Sequence, residues 1–335
     1  MNRGADADFD ARLAFLRARL QPDFEVETHS AHVFLAADRA YKIKRPVRLS
    51  YLDHRSIAAR EHVCREELRL NRELAGEAVY LGLLPLTGGA AGEMKLGGSG
   101  RLLDWIVVMR RLPAERMLDA ILARGERPRD ADLDGLARLL ADFYRARQAA
   151  PPRKGLYLSH LRRESAANRD GLMALRSHLA SPDLEQLADA GLAAVERAAA
   201  AIAEREAAGL VIEGHGDLRP EHVCLIDPPI VFDRVEFALE MRVVDLGDEL
   251  GYFDLECRLA GAPEIGPALI RRLAQAGLPP LADDLAATFC LFRCLTRARL
   301  CIAHLADPVP RRPEHWPVRA EQYLAEARRL VAGLR

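Results

Sequence analysis

Through its first third the chain alternates short apolar runs with turn residues, and from residue 114 onward apolar positions recur at helical spacing instead. Leu13, Leu16 and Leu20 share one side of a predicted helix over residues 1–20. Residues 24–27, 32–36 and 40–44 read as strands, the last two joined by a tight turn at Ala37-Asp38. A helix is predicted over 56–75 with Ser56 as its cap, and strands over 81–86 and 102–109 flank a glycine-rich connection from Gly88 to Gly100. The order strand, strand, strand, helix, strand, strand implies a small sheet with one packed helix.

In the remainder, Leu133, Leu136, Ala137, Leu140, Phe143 and Tyr144 follow the spacing of a buried helix face. Further helices are predicted over 159–178, 183–208, 244–259, 283–305 and 320–334, the last carrying Ala320, Tyr323, Leu324, Ala327, Leu330 and Leu334 in register. One strong β signal interrupts them. The apolar runs 223–226 and 230–232 flank Asp227-Pro228-Pro229, a turn signal because proline fixes φ and cannot donate to a ladder. The expected fold class is α+β, with a small β-rich N-terminal lobe over residues 1–112 and a larger helical C-terminal lobe over 113–335.

At 335 residues, half of them apolar and 29% charged, the chain has the composition of a globular protein with two lobes or domains. A net charge of −1 offers no global attraction to nucleic acid or to an anionic membrane. The first residues, Met1-Asn2-Arg3-Gly4-Ala5-Asp6, lack the pattern of a signal peptide, and no apolar run approaches the roughly 20 residues that span a bilayer. A cytoplasmic protein without a membrane partner is expected. The six cysteines include no C-x-x-C pair, so they read as buried apolar thiols, although Cys290, Cys294 and Cys301 share a helical face.

The chemistry concentrates between Gly214 and Arg234, which read G-H-G-D-L-R-P-E-H-V-C-L-I-D-P-P-I-V-F-D-R. Folding about the proline turn returns Asp233 beside His222 and Val223, near the loop carrying Asp217. A loop acid beside a second acid at a strand end suits phosphoryl transfer: one carboxylate orients or deprotonates the acceptor hydroxyl, the other holds a metal. Upstream, Lys42 and Lys44 project from one face of a strand. Ala40-Tyr41-Lys42 favours Lys42 as the phosphate-binding lysine, while Lys44 reads as a solvated strand end running into Arg45-Pro46. Val63, Glu67, Leu70 and Leu74 form one stripe of the following helix, so Glu67 sits on an apolar face where a carboxylate needs a partner.

These segments resemble the aminoglycoside phosphotransferases of the protein-kinase-like fold. His215-Gly216-Asp217 matches the start of that family's H-G-D-x-x-x-x-N, and Phe232-Asp233 matches its metal-binding acid; His222 stands where the family has Asn. The resemblance implies a two-lobed kinase-like fold and an ATP-dependent kinase acting on a small-molecule hydroxyl acceptor. It makes Asp217 the catalytic base, Lys42 the phosphate ligand, Glu67 its partner and Asp233, with His222, the binder of Mg²⁺ or Mn²⁺. Trp105 to Pro113 resembles the last strand and hinge, with Met109 lining an adenine pocket and backbone groups from Arg110 to Leu112 meeting the adenine edge. Ser30, in the glycine-free loop 28–32, takes the place of the phosphate-covering loop. Asp245 is either an acid bracing the catalytic loop or the cap of the next helix, and Glu236 either faces the metal or ends its strand. A bacterial branch whose members are fused to a P-loop ATPase is the most similar, which raises the expectation of a separate P-loop ATPase partner. The competing readings are a nucleotide-binding pseudokinase and, from the basic stretch 39–60, a nucleic-acid binder. Asp248, Glu249, Asp254 and Glu256 are the acids available to a cationic acceptor.

Overall fold

The computed structural model describes residues 3–49, 52–89, 92–279, 282–306, 310 and 312–333; Met1, Asn2 and Leu334 lie outside them. The chain forms two compact units, Met1–Ala120 with His222–Leu239, and Ile121–Glu221 with Glu240–Arg335. The segment carrying His222 and Asp233 therefore folds with the N-terminal part of the chain.

In the first unit, α1 (Arg3–Leu20) precedes three strands, β1 (Phe24–Glu27), β2 (Ala31–Ala36) and β3 (Arg39–Lys44). A two-residue pair, β4 (Arg48–Leu49) and β5 (Leu52–Asp53), leads to α2 (Ile57–Ala75), then β6 (Tyr80–Gly88), β7 (Met94–Leu96) and β8 (Arg101–Arg110). Six strands form one antiparallel sheet in the order β1-β2-β3-β8-β6-β7. The glycine-rich stretch is thus a hairpin closing on β7. Because side chains alternate along a strand, Phe34, Ile43, Leu86 and Ile106 face α1 and pack on its Phe9, Leu13 and Leu16. The opposite face, bearing Val107 and Tyr80, packs on Cys64 of α2. Ser56 caps α2 as expected, its Oγ accepting from the Ala59 N–H at 3.1 Å.

After α3 (Leu118–Ala123) come α4 (Asp130–Gln148), α5 (Leu156–Ala174), α6 (Leu184–Ala207) and a short strand, β9 (Val211–Glu213). The predicted hairpin, β10 (Val223–Cys224) with β11 (Ile230–Val231), pairs Val223 with Val231. Then follow α7 (Leu239–Arg242), β12 (Val243–Asp245), α8 (Leu246–Leu259), α9 (Ile265–Gln275), α10 (Asp283–Ala303) and α11 (His315–Gly333). The helix expected from residue 244 starts at Leu246 because Val243 to Asp245 pair antiparallel with β9. The sequence reading also missed α9, which buries Ile265, Leu269 and Leu273. In the second unit α10 is apolar around most of its circumference: Leu285, Phe289 and Phe292 enter one core, and Leu291, Cys294, Leu295 and Ala298 another. Six free cysteines are all buried, and no helix of the described residues is long and apolar enough to cross a membrane.

Candidate active site

In the first unit the period-two register of β3 points Lys42 and Lys44 the same way, opposite Tyr41 and Ile43. Both meet Glu67 of α2, which is fully buried among Val63, Leu70 and Leu74. Lys42 Nζ donates to Glu67 Oε1 at 2.8 Å and to Asp233 Oδ1 at 2.7 Å. Lys44 Nζ lies 2.6 Å from Glu67 Oε2 and 2.5 Å from Glu236 Oε1. The result is an alternating chain, Asp233–Lys42–Glu67–Lys44–Glu236. Lys44 is therefore not a solvated strand end: its side chain is 0% exposed, because Glu67 has two oxygens and takes one ammonium on each.

Charge decides the protonation along this chain. Burial alone would pull the Lys42 ammonium down, but Asp233 and Glu67 beside it hold it well above its ordinary range. Lys44 is likewise raised against burial by Glu236 and Glu67. Burial pushes the Glu67 carboxyl up, yet the two ammonium groups outweigh it and keep it below its usual value. Asp233 shows the same contest and the same outcome, with Lys42 and then His222 pulling it down. At Glu236 burial wins, and its carboxyl sits above the usual value.

The β10–β11 hairpin positions Asp233. Phe232 N–H bonds the His222 carbonyl at 3.1 Å, which closes the ladder and returns Asp233 beside His222 as expected. His222 Nε2 lies 3.8 Å from Asp233 Oδ2. Asp233 has φ of 63°, a left-handed conformation uncommon outside glycine that stores local strain. Its backbone is held there from both sides: the Asp233 N–H donates to Tyr80 Oη at 3.3 Å and the Arg234 N–H to Asn71 Oδ1 at 2.9 Å. Asn71 also donates to the Glu67 carbonyl, so one helix fixes both acids. Sequence reasoning missed Tyr80, Asn71 and Arg234. Asn71 alone carried a signal, lying four residues from Glu67 on the same helix face.

As a cation site, Asp233 offers one hard carboxylate, 39% exposed, and His222 one imidazole. Among the described residues no cluster of three or more His, Cys, Asp or Glu is poised to hold a metal. Such a donor set fits a divalent ion that draws most of its ligands from phosphate and water, as Mg²⁺ does, and the imidazole also suits Mn²⁺.

The nucleotide-side residues expected from sequence also fall in this unit. Ser30 sits in the β1–β2 turn, which Thr28 ties to Ala31 and which abuts the end of β3 through the Arg45 N–H to Ser30 carbonyl bond at 2.8 Å. Met109 pairs opposite Ala40 and Tyr80, and both Met109 and Leu112 pack on the core beneath the hairpin. The Arg110 and Arg111 N–H groups bond Val79 and Asp38 carbonyls at 2.8 and 2.9 Å. Of the expected hinge donors, the Leu112 N–H is the one making no hydrogen bond among the described residues.

In the second unit, Asp217 lies in the loop after β9. Gly216 has φ of +86°, and a Cβ there would meet the Met241 carbonyl oxygen at 2.6 Å, so glycine is required. Glu249 of α8 accepts from the His215 and Gly216 N–H groups at 2.7 and 2.8 Å. Tyr252 Oη donates to Asp217 Oδ1 at 3.2 Å, and Arg219 Nη2 lies 3.0 Å from Oδ2. Of the two readings of Asp245, the cap holds: it accepts from the Gly247 N–H at 2.7 Å and is clasped by Arg205. Bracing of the loop belongs to Glu249. The four acids considered for a cationic acceptor are engaged internally: Asp248 by Arg293, Glu249 by the loop, Asp254 by Arg258 and Glu256 by Arg319. Within the basic stretch 39–60, Arg45 pairs with Glu27, Arg55 with Asp53 and Arg60 with Asp104.

No family model matches the sequence. Proteins from Mycobacterium tuberculosis (strain H37Rv) and Mycobacterium bovis, both described as uncharacterized, are each 28% identical over 284 residues, or 82% of this chain and 53% of theirs. The chain thus spans about half the length of the curated relatives it matches. Among solved structures it is similar to choline kinase LicA from Streptococcus pneumoniae, at 12% identity and a TM-score of 0.56 over 96% of this chain and 99% of that one. A choline/ethanolamine kinase family protein from Mesorhizobium loti gives 15% and 0.53 over 98% and 99%. Choline kinase from Cryptosporidium parvum gives 11% and 0.51 over 92% and 90%. At such identities the likeness establishes the fold, an α+β kinase-like fold, and nothing about substrate.

Proposed function

We propose that this chain is an ATP-dependent small-molecule kinase that transfers the γ-phosphoryl group to a hydroxyl. The observation that carries the reading is the Asp233–Lys42–Glu67 chain, with contacts of 2.7 and 2.8 Å, on a fold shared with choline kinases. Lys42 supplies the charge that meets the nucleotide phosphates, and Glu67 fixes the direction of its ammonium. Asp233, with His222 beside it, would hold the divalent cation, which when bound neutralises charge on the phosphates. Ser30 and the Leu112 N–H are the polar groups offered to phosphate and adenine.

Asp217 orients the acceptor hydroxyl and takes its proton. The hydroxyl oxygen bonds to phosphorus as the bond from phosphorus to the departing ADP oxygen breaks. Tyr252 and Arg219 hold the Asp217 carboxylate in place.

A second reading has one observation in its favour, the imidazole of His222 at 3.8 Å from Asp233, a poorer magnesium ligand than an amide oxygen. Under it the chain binds nucleotide without turnover. Cation-dependent ADP release across a panel of hydroxylated metabolites separates the two: release that vanishes in Asp217→Ala supports the kinase, and nucleotide-dependent stabilisation with no release supports the binder.

A further inference from the structure

The side chains around Asp217 carry a charge pattern suited to a particular class of acceptor. Arg219 is shared between Asp217 at 3.0 Å and Glu221 at 2.5 Å. In the same unit, Arg297 of α10 is half-buried, and its Nε is shielded from water with no hydrogen-bond partner among the described residues. It makes no ion pair there either; its guanidinium carbon lies 6.0 Å from the centre of the Tyr323 ring. Asp217, Tyr252, Tyr323 and Glu256 all act electrostatically on it, and Arg219 and Arg297 act on each other. A guanidinium nitrogen shielded from water without an acceptor is costly, and Arg297 Nε therefore calls for a partner that completes it.

The same surroundings disfavour a cation. A quaternary or primary ammonium is held by aromatic faces and unpaired carboxylates. Here Arg293 lies over the Tyr252 ring at 4.9 Å and Arg319 over Tyr323 at 4.8 Å. Asp248 is held by Arg293 at 2.7 Å, and Glu256 by Arg319 at 2.8 Å and Tyr323 Oη at 2.5 Å. The faces and the acids are already occupied by this chain's own arginines.

We infer that the acceptor carries an oxyanion group, a carboxylate or a phosphate, beside its reacting hydroxyl, and that Arg297 with Arg219 binds it. This rests on the reading that Asp217 holds the acceptor. Guanidinium forks suit either oxyanion, since both accept two parallel N–H bonds. The inference separates this chain from a choline-type acceptor while leaving the fold unchanged.

The test measures binding and turnover separately on the full chain. Calorimetric titration compares D-glycerate and glycerol 3-phosphate with glycerol and choline, in the presence of a non-hydrolysable ATP analogue. The expected result is that at least one anion binds about tenfold or more tightly than glycerol or choline, the range of one hydrogen-bonded charge contact. Arg297→Gln then weakens that anion about tenfold, and Arg297→Lys recovers part of the loss. ADP release is measured on the same four compounds with ATP. Failure of both anions to bind, preference for choline or glycerol, or an unchanged affinity in Arg297→Gln overturns the inference. Anion binding without ADP release upholds the oxyanion site and refutes phosphoryl transfer; release with choline in preference does the reverse.

Discussion

Replacing Lys44 by Met tests the buried charge chain where its energetics are most exposed to measurement. The ammonium is removed from a site with no solvent access, leaving Glu67 with Lys42 alone and Glu236 without its contact at 2.5 Å. Breaking a buried ion pair from one side costs about 3–5 kcal/mol. Glu67 keeps one ammonium, which places the expectation at the lower end, ~3 kcal/mol. With a urea slope of about 2 kcal/mol/M the midpoint falls by ~1.5 M. The sequence has two tryptophans, and a Trp316→Phe background leaves Trp105 of the first unit as the reporter. The pH dependence has a definite sign. Burial already holds the Glu236 carboxyl above its ordinary value of 4.5, and losing Lys44 raises it further. A carboxyl with a raised folded pKa retains its full contribution below the unfolded value and loses it as pH rises through the folded one. The deficit is therefore smaller near pH 5 than near pH 8, and adding Glu236→Gln restores part of it. A cost below about 1 kcal/mol, a deficit independent of pH, or a double variant as damaged as the two singles summed refutes the reasoning.

Three further outcomes follow from the geometry. Lys42→Met lowers kcat for ADP release by roughly 10²–10³, the usual effect of removing one preorganised donor, in an assay at saturating ATP; unchanged kcat removes Lys42 from the site. Gly216→Ala forces a Cβ against the Met241 carbonyl oxygen at a φ of +86°, so thermal unfolding of the variant falls by several degrees, an effect of about 1–3 kcal/mol. His222→Asn raises the activity ratio of Mg²⁺ to Mn²⁺ several-fold in a two-metal titration, and an identical ratio in both proteins excludes His222 from the cation's surroundings.

The parts of the site legible in the sequence are those set by local periodicity. Strand alternation put Lys42 and Lys44 on one face, and the stripe of Val63, Leu70 and Leu74 marked Glu67 as buried. The proline turn placed Asp233 beside His222. Lys44 was misread because its fate depends on Glu236, a contact spanning 192 positions that no local pattern encodes. The three-residue strands β9 and β12 are too short to show alternation, so Val244 read as a helix start. Asp248 and Glu256 looked available for the same reason: their arginine partners, Arg293 and Arg319, arrive from α10 and α11. Asp245 was recognisable as a cap from its position before Leu246-Gly247, but only the hydrogen bond at 2.7 Å separates that role from bracing the loop.

Transfer of label from γ-labelled ATP onto a hydroxylated acceptor, followed by isolation of the phosphate ester, addresses the account at its centre. The wild-type chain is expected to yield the ester in a cation-dependent reaction, and Asp217→Asn to lower the rate at least a hundredfold while nucleotide affinity stays within a factor of a few. Nucleotide that binds but yields labelled ester at the same rate in both proteins, or in neither, contradicts it.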